Sequence, residues 1–155
     1  MKLREFIVTD AIVPELQAGD RDGAIRELVT SLSAAGALPE SAVDEVVAAL
    51  IKREQNGSTG FGKGVAVPHV KHPKVKKMAG TIGRSGAGLD FAALDHQPVY
   101  SIVLLLSPEN QPQQHLNAMN IVFTNLQKDM FRKFLRQSGT KQAIADLLDE
   151  ADQGK

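Results

Sequence analysis

The hydrophobic positions in the first third of the chain repeat with the period of amphipathic helices. Asp20 precedes the first series and Gly36 follows it, while Pro39 and Ser41 precede the second. These residue types are typical of helix starts and helix ends. The sequence therefore predicts two helices, with residues 1–19 forming a short extended or mixed opening. The apolar positions are Ala24, Ile25, Leu28, Val29 and Leu32 in the first series and Val43, Val46, Val47, Leu50 and Ile51 in the second.

The strand signals lie further along the chain. Val99–Leu106 is almost uninterrupted by polar residues, as expected for a strand covered on both faces. Val65–Val67 and Met78–Arg84 are shorter candidates, and their short connection suits a local antiparallel return better than a helical crossover. Three further helices are predicted, from about Gln113 to Leu126, from a cap at Asp129 to Gly139, and from Thr140 onward.

The order of these elements indicates the fold class. Helices before, between and after a few strands favour an α/β fold. We expect a three-layer sandwich with a small mixed β-sheet flanked by helices, formed by residues 1–155 as a single domain.

Composition excludes several classes of function. Eighteen basic residues balance eighteen acidic ones, which argues against a nucleic-acid binder that relies on a broad positive field. There is no cysteine, so disulfides, thiolate metal sites and cysteine nucleophiles are excluded. The amino terminus has no apolar core of signal-peptide length, and no apolar run is long enough to span a membrane. We therefore expect a soluble, cytoplasmic protein without membrane insertion.

The segment Gly57–His69 carries the strongest functional signal. It holds four glycines, and it ends in Pro68-His69, where a proline with a fixed φ presents an imidazole. Its start matches the front of a nucleotide-binding loop, but Gly64 stands where that loop needs serine or threonine. The segment also follows a predicted helix and leads into a strand, the reverse of the nucleotide-binding order. We therefore reject a nucleotide site.

The four histidines differ in how strongly their surroundings in the sequence indicate a function. His69 and His72 form an HxxH pair, but prolines on both sides oppose the continuous helix that a shared metal would require, so His72 is predicted to be an exposed neighbour. His96 lies in an apparent turn and receives no role. His115 opens a helix directly after the buried strand, where α/β folds place ligands. A capping or exposed histidine explains it equally well.

Arg53 ends the second predicted helix beside the glycine-rich segment. An arginine there can complement the helix dipole. It can equally present its guanidinium to a phosphoryl group. Spacing alone leaves both interpretations open.

Taken together, these motifs resemble the type-2 enzyme IIA domain of the bacterial phosphoenolpyruvate-dependent phosphotransferase system. That family includes the fructose- and mannitol-type IIA domains and the nitrogen-regulatory IIA proteins. The resemblance covers essentially the whole chain. It rests on Arg53-Glu54, Ser58-Thr59-Gly60, Gly62, Gly64 and Pro68-His69 in that order, on the turn Leu94-Asp95-His96-Gln97-Pro98-Val99, and on the helix start His115-Leu116.

The resemblance implies a phosphoryl-carrier protein. His69 would accept the group from the histidine-containing phosphocarrier protein, and then pass it on or signal by its phosphorylation state, as in the nitrogen-regulatory proteins. A IIB domain or a regulatory target would be the downstream partner, and no metal, nucleotide or other cofactor is implied. The alternatives are a sugar-transport IIA component of a fructose/mannitol-type system, and a regulatory binding module that cannot be phosphorylated. The groups expected around the phosphoryl oxygens are His115, Arg53, Ser58, Thr59 and Gly60.

Overall fold

A computed structural model describes residues 1–154. Two turns of 3-10 helix, Thr9–Ala11 and Glu40–Ala42, precede the second and third helices. The helices are α1 (Leu3–Phe6), α2 (Arg21–Ala34), α3 (Val43–Gln55), α4 (Pro112–Leu126), α5 (Asp129–Gln137) and α6 (Lys141–Asp152). The strands are β1 (Gly60–Gly62), β2 (Val65–Ala66), β3 (His69–His72), β4 (Ala79–Leu89) and β5 (Val99–Pro108).

Most of the predicted helix ends are confirmed. The Asp20 carboxylate accepts a hydrogen bond from the Gly23 amide at 2.7 Å, and the Thr140 hydroxyl accepts one from the amide of Ala143 at 3.1 Å. Gly36 follows α2 with a φ of 83°, a conformation that glycine adopts without strain. Each of these signals acts through its own neighbours in sequence, which is why the pattern alone was sufficient.

The predicted cap at Asp129 is wrong. The cap position of α5 is Lys128, which makes no side-chain capping bond, and Asp129 already lies within the first turn. From there its carboxylate pairs with Arg132 one turn later. A carboxylate in the first turn still favours the helix through the helix dipole.

Strands β2 and β3 form one interrupted strand parallel to β5. Ala66 pairs with Ile102 and His69 with Leu105, so the register is unchanged across the gap. Pro68 lies in the gap because it has no amide hydrogen to donate to the ladder. Its carbonyl still accepts from the Leu105 amide at 2.9 Å. The proline therefore ends one hydrogen-bonded stretch without moving His69 away from the sheet.

The expected local antiparallel return is wrong in its pairing. Strand β4 runs antiparallel to β5, but it lies on the opposite side of β5 from β3, because Leu105 pairs with both His69 and Gly80. The long buried strand thus separates the two shorter candidates. Beyond β4, the opening segment adds parallel bridges at Ile7 and Val13, which agrees with the mixed character expected for residues 1–19.

The sheet has a hydrophobic core on each face, and the predicted three-layer α/β sandwich is confirmed. Ile102 and Leu104 of β5 pack with α2 and α3, whereas Val103 and Leu105 pack with α1 and with α4–α6. This alternation follows from the two-residue period of a strand. Fully burying one such side chain contributes roughly 1.5–3 kcal/mol. None of the helices described for residues 1–154 combines the length and the apolar character needed to cross a bilayer.

Candidate active site around two histidines

His69 is the first residue of β3 and is half-buried. Its Nδ1 lies 2.7 Å from the carbonyl oxygen of Val67. Because a carbonyl oxygen only accepts hydrogen bonds, Nδ1 carries the ring proton and donates it. The neutral ring therefore keeps its lone pair on Nε2, the ring nitrogen that is chemically able to act as a nucleophile.

The surroundings favour the neutral form of His69. Burial lowers its pKa below the ordinary value of 6.5, and the positive charge of Arg53 lowers it further. The hydrogen bond to Val67 raises the pKa of His69, but this effect is smaller than that of burial. An uncharged imidazole at pH 7 is the form that can attack phosphorus.

His115 lies beside His69, as the family resemblance implied. The ring centroids are 5.6 Å apart and the ring planes are inclined by 43°. Nδ1 of His115 lies 2.7 Å from the hydroxyl oxygen of Ser107. Burial, followed by the nearby charges of His69 and Lys71, lowers the pKa of His115 to about 4. Both rings are therefore neutral at pH 7.

Arg53 occupies the last turn of α3, next to the glycine-rich segment. Its Nη1 donates a hydrogen bond to the carbonyl oxygen of Gly57 at 2.6 Å, which joins the helix end to the loop. After the larger effect of burial, its positive charge also contributes to the lowered pKa of His69. Arg53 thus serves the helix end and the histidine together, and the two interpretations left open by the sequence are compatible.

The other three predicted groups already have partners within the protein. The Ser58 hydroxyl donates to the carbonyl oxygen of Phe91 at 2.8 Å and accepts from the Gly60 amide at 2.9 Å. The Thr59 hydroxyl donates to the Glu54 carboxylate. These contacts build and hold the loop. Direct contact of Ser58, Thr59 or Gly60 with a phosphoryl group stays a prediction.

Glu54 is a site residue that sequence reasoning noticed only as part of a motif. It is 3% exposed, and its carboxylate accepts hydrogen bonds from both the amide and the hydroxyl of Thr59. The Thr59 carbonyl in turn accepts from the Val67 amide at 3.2 Å, and the carbonyl of Val67 holds His69. Glu54 thus begins a chain of contacts that ends at the His69 ring. Its position on the apolar face of α3, four residues after Leu50, was the available signal.

Ser107 received no role from the sequence. It follows the predicted strand Val99–Leu106, but β5 extends to Pro108 and buries the serine completely. A buried serine needs a hydrogen-bond partner. His115, eight residues later, supplies it.

His72 and His96 stand apart from the two-histidine site. His72 is not the exposed neighbour that was expected: its side chain is 12% exposed, and Nε2 lies 3.7 Å from the Glu45 carboxylate. In the turn after β3, the Lys74 amide donates to Nδ1 of His72 at 3.1 Å and holds the partly buried ring in place. His96 is exposed in a turn with a φ of 59°. Within residues 1–154, no three acidic or histidine side chains are grouped so that they could hold a metal ion.

Comparison with known proteins identifies the family of the chain. Residues 5–151 match the family described as phosphoenolpyruvate-dependent sugar phosphotransferase system, EIIA 2. The chain belongs to this family. It is a IIA-type phosphocarrier of the phosphotransferase system.

Relatives of this EIIA chain include regulatory and sugar-specific proteins. It is 36% identical to a nitrogen regulatory protein of Bradyrhizobium diazoefficiens over 148 residues, which cover 96% of the chain and 95% of the relative. It is 32% identical to the fructose-specific EIIABC component of Bacillus subtilis over 98% of its own length. The chain spans only 24% of that larger protein.

Solved structures of the family share the fold. The nitrogen regulatory protein IIA-Ntr of Neisseria meningitidis aligns with a TM-score of 0.83 at 29% identity, covering 93% of this chain and 97% of that one. The mannitol IIA of Escherichia coli, in a complex with phosphorylated IIB, aligns with a TM-score of 0.76 at 19% identity over 90% and 94% of the two chains. At that identity the second likeness concerns the fold alone.

Proposed function

We propose that Nε2 of His69 accepts a phosphoryl group from the histidine-containing phosphocarrier protein. The observation that carries the proposal is the hydrogen bond from Nδ1 of His69 to the Val67 carbonyl, which leaves a lone pair on Nε2 beside a second neutral histidine. The protein then passes the group on or signals by its phosphorylation state. We also propose that residues 1–155 form a single IIA domain. A cytoplasmic location remains a prediction.

The reaction conserves atoms and charge without a metal or a nucleotide. The lone pair on Nε2 of His69 forms the new N–P bond. The N–P bond of the donor phosphohistidine breaks, and its electron pair returns to the donor ring nitrogen. His69 keeps its Nδ1 proton throughout, and the bond to Val67 holds the ring in place during the transfer. Such a transfer depends mainly on positioning and on charge stabilisation.

Two side chains would stabilise the transferred group. His115 lies against His69, and Arg53 supplies a positive charge that already acts on the same ring. Phosphoryl oxygens accept hydrogen bonds from such groups, and a guanidinium is well suited to them. Ser58, Thr59 and Gly60 would contribute mainly by holding the loop, given their partners within the protein.

The test is phosphoryl labelling with phosphoenolpyruvate and the purified relay, including the phosphocarrier protein. We expect one labelled histidine in the wild type, mapped to His69 by mass spectrometry under conditions that preserve phosphohistidine. His69→Ala should not be labelled. His96→Ala is the matched control, because it removes an exposed histidine outside the site, and it should be labelled like the wild type. Equal labelling of His69→Ala and wild type would refute the assignment.

The nitrogen-regulatory role is favoured over sugar uptake by the comparison with relatives. A nitrogen regulatory protein matches at 36% identity and a fructose component at 32%, and the former is matched over nearly its whole length. A chase experiment separates the two roles. Phosphorylated protein is mixed with a purified fructose-type IIB domain, and rapid transfer of the label to IIB would favour sugar uptake. A label that stays on His69, together with partners captured in only one phosphorylation state, would favour regulation. A labelled His69 in either case excludes a module that cannot be phosphorylated.

A further inference from the structure

Ser107 places a buried hydroxyl directly behind His115. The residue is 0% exposed, and its Oγ lies 2.7 Å from Nδ1 of the ring. Two arrangements of hydrogen fit this distance. Either the hydroxyl donates to an unprotonated Nδ1, or a protonated Nδ1 donates to the hydroxyl oxygen.

The burial of Ser107 decides between these arrangements. Within residues 1–154, the Ser107 hydroxyl forms a hydrogen bond with His115 and with no other group. If Nδ1 donated, the serine proton would be left in the interior without an acceptor, which is unfavourable. If the serine donates, its proton is satisfied and the oxygen keeps only unused acceptor capacity. The first arrangement is therefore the stable one, and the proton of His115 resides on Nε2.

The two histidines then have opposite tautomers. His69 donates from Nδ1 to the Val67 carbonyl, so its Nε2 carries a lone pair. His115 accepts at Nδ1 from Ser107, so its Nε2 carries a hydrogen. Because burial and nearby charges lower the pKa of His115 to about 4, the ring is neutral at pH 7 and the tautomer alone decides whether Nε2 donates.

We propose that Ser107 is a positioning residue that holds His115 in the Nε2–H tautomer and orientation, so that this ring donates a hydrogen bond to the phosphoryl group on His69. The proposal rests on the proposed function of His69. In this proposal the phosphoryl group is stabilised by a neutral histidine, and a serine from the strand next to β3 keeps the hydrogen of that histidine on Nε2. Ser107 itself does not touch the phosphoryl group.

The direct test is a long-range ¹H–¹⁵N correlation spectrum of the histidine rings at pH 7. Protonated and unprotonated ring nitrogens of neutral histidine resonate in well separated ranges, and His115→Gln identifies the signals of that ring. We expect a protonated Nε2 and an unprotonated Nδ1 for His115, with the reverse for His69. In Ser107→Ala, His115 should become a mixture of tautomers. A protonated Nδ1 on His115 in the wild type would overturn the proposal.

Labelling kinetics provide the second measurement. Ser107→Ala should be phosphorylated on His69 roughly five- to tenfold more slowly, the rate equivalent of one hydrogen bond. Ser101→Ala is the matched control, because Ser101 is also buried on β5 and lies six residues earlier on the same face of that strand. It should leave the rate and the spectrum unchanged. Ser107→Cys, which keeps the size and a weaker donor, should give an intermediate rate and serves if the alanine variant does not fold.

The outcomes separate this proposal from the proposed function. If the wild type is labelled on His69 but Ser107→Ala matches it in rate and in the His115 spectrum, the role of Ser107 is refuted and the phosphocarrier function stands. If wild-type His69 is not labelled at all, the proposed function fails. The spectrum of the wild type would still decide the tautomer of His115 in that case.

Discussion

Replacing Glu54 with alanine should loosen the loop that leads to His69. The carboxylate is buried, and it accepts hydrogen bonds from the amide and the hydroxyl of Thr59. Removing it leaves two donors of Thr59 in the interior without an acceptor. The Val67 amide, held by the Thr59 carbonyl, and the Val67 carbonyl, which holds His69, are the next members of the chain.

The size of the effect follows from these contacts. A hydrogen bond to a charged group contributes about 1.5–3 kcal/mol, and a buried donor left unpaired loses a similar amount. With two such bonds, Glu54→Ala should lower the free energy of unfolding by about 3–5 kcal/mol. For a chain of this length that corresponds to a fall in Tm of roughly 10 °C. His69 phosphorylation should also slow, because the nucleophile is less well oriented.

Urea unfolding followed by far-UV circular dichroism measures this change. Glu45→Ala is the matched control, since Glu45 is an exposed carboxylate of the same helix that pairs with Lys74, and it should change stability little. Thr59→Val and the double variant complete a mutant cycle, which should show that the Glu54 and Thr59 effects are strongly non-additive. A midpoint for Glu54→Ala equal to that of Glu45→Ala, or additive effects in the cycle, would refute the reasoning.

Three further predictions concern pH, packing and a helix cap. In the folded protein the pKa of His69 and of His115 lies below the ordinary 6.5, and that of His115 is about 4. Between pH 6.5 and pH 4 the unfolded chain therefore binds more protons than the folded one. The free energy of unfolding should be constant above pH 6.5 and fall as the pH decreases toward 4. The dependence of the free energy of unfolding on pH, measured by urea unfolding, is at most about 1.4 kcal/mol per pH unit for each histidine. It should be smaller here because the rings are partly open to solvent. Stability that rises on acidification would contradict this prediction. Gly83→Ala should lower the free energy of unfolding by about 1–3 kcal/mol, because its Cβ would lie 2.8 Å from a leucine side chain of α2. Gly86→Ala on the same strand would meet only the ends of a glutamate and an arginine side chain, at 3.4 Å or more, and should be near neutral. Equal unfolding midpoints for the two variants would count against the close packing at Gly83. Asp20→Ala removes the cap of α2 and should cost about 1 kcal/mol, while Asp20→Asn should retain most of it, and thermal unfolding of the two variants tests the cap.

The sequence was most informative where the physics is local. A capping side chain, a glycine with positive φ and a run of buried β residues each act through near neighbours, so α2, α6 and β5 were found in the right places. Strand pairing is not local. Strand β4 pairs with the side of β5 that faces away from β3. The short connection between β3 and β4 does not reveal that both strands pair with β5 rather than with each other.

The same division holds within the candidate site. His69 and His115 could be named from the loop, the helix start and the family resemblance, and the fold brings them together. The hydroxyls of Ser58 and Thr59 were expected to face a phosphoryl group, but the tertiary structure gives them the Phe91 carbonyl, 33 residues away, and the buried Glu54. A short polar side chain bonds to the partner that folding brings near it. Residue type alone does not identify that partner.

The sequence alone is sufficient for the layers of the fold and for the family of the chain, and it points to His69 as the proposed nucleophile. The positions of the protons around His69 and His115 depend on the tertiary structure. A neutral imidazole has two nearly equivalent tautomers, and the choice is made by the acceptor or donor that packs against Nδ1. For His69 that group is the carbonyl of Val67, and for His115 it is the hydroxyl of Ser107. Folding thus gives one ring a free lone pair and places beside it the other ring, whose hydrogen the serine directs to Nε2.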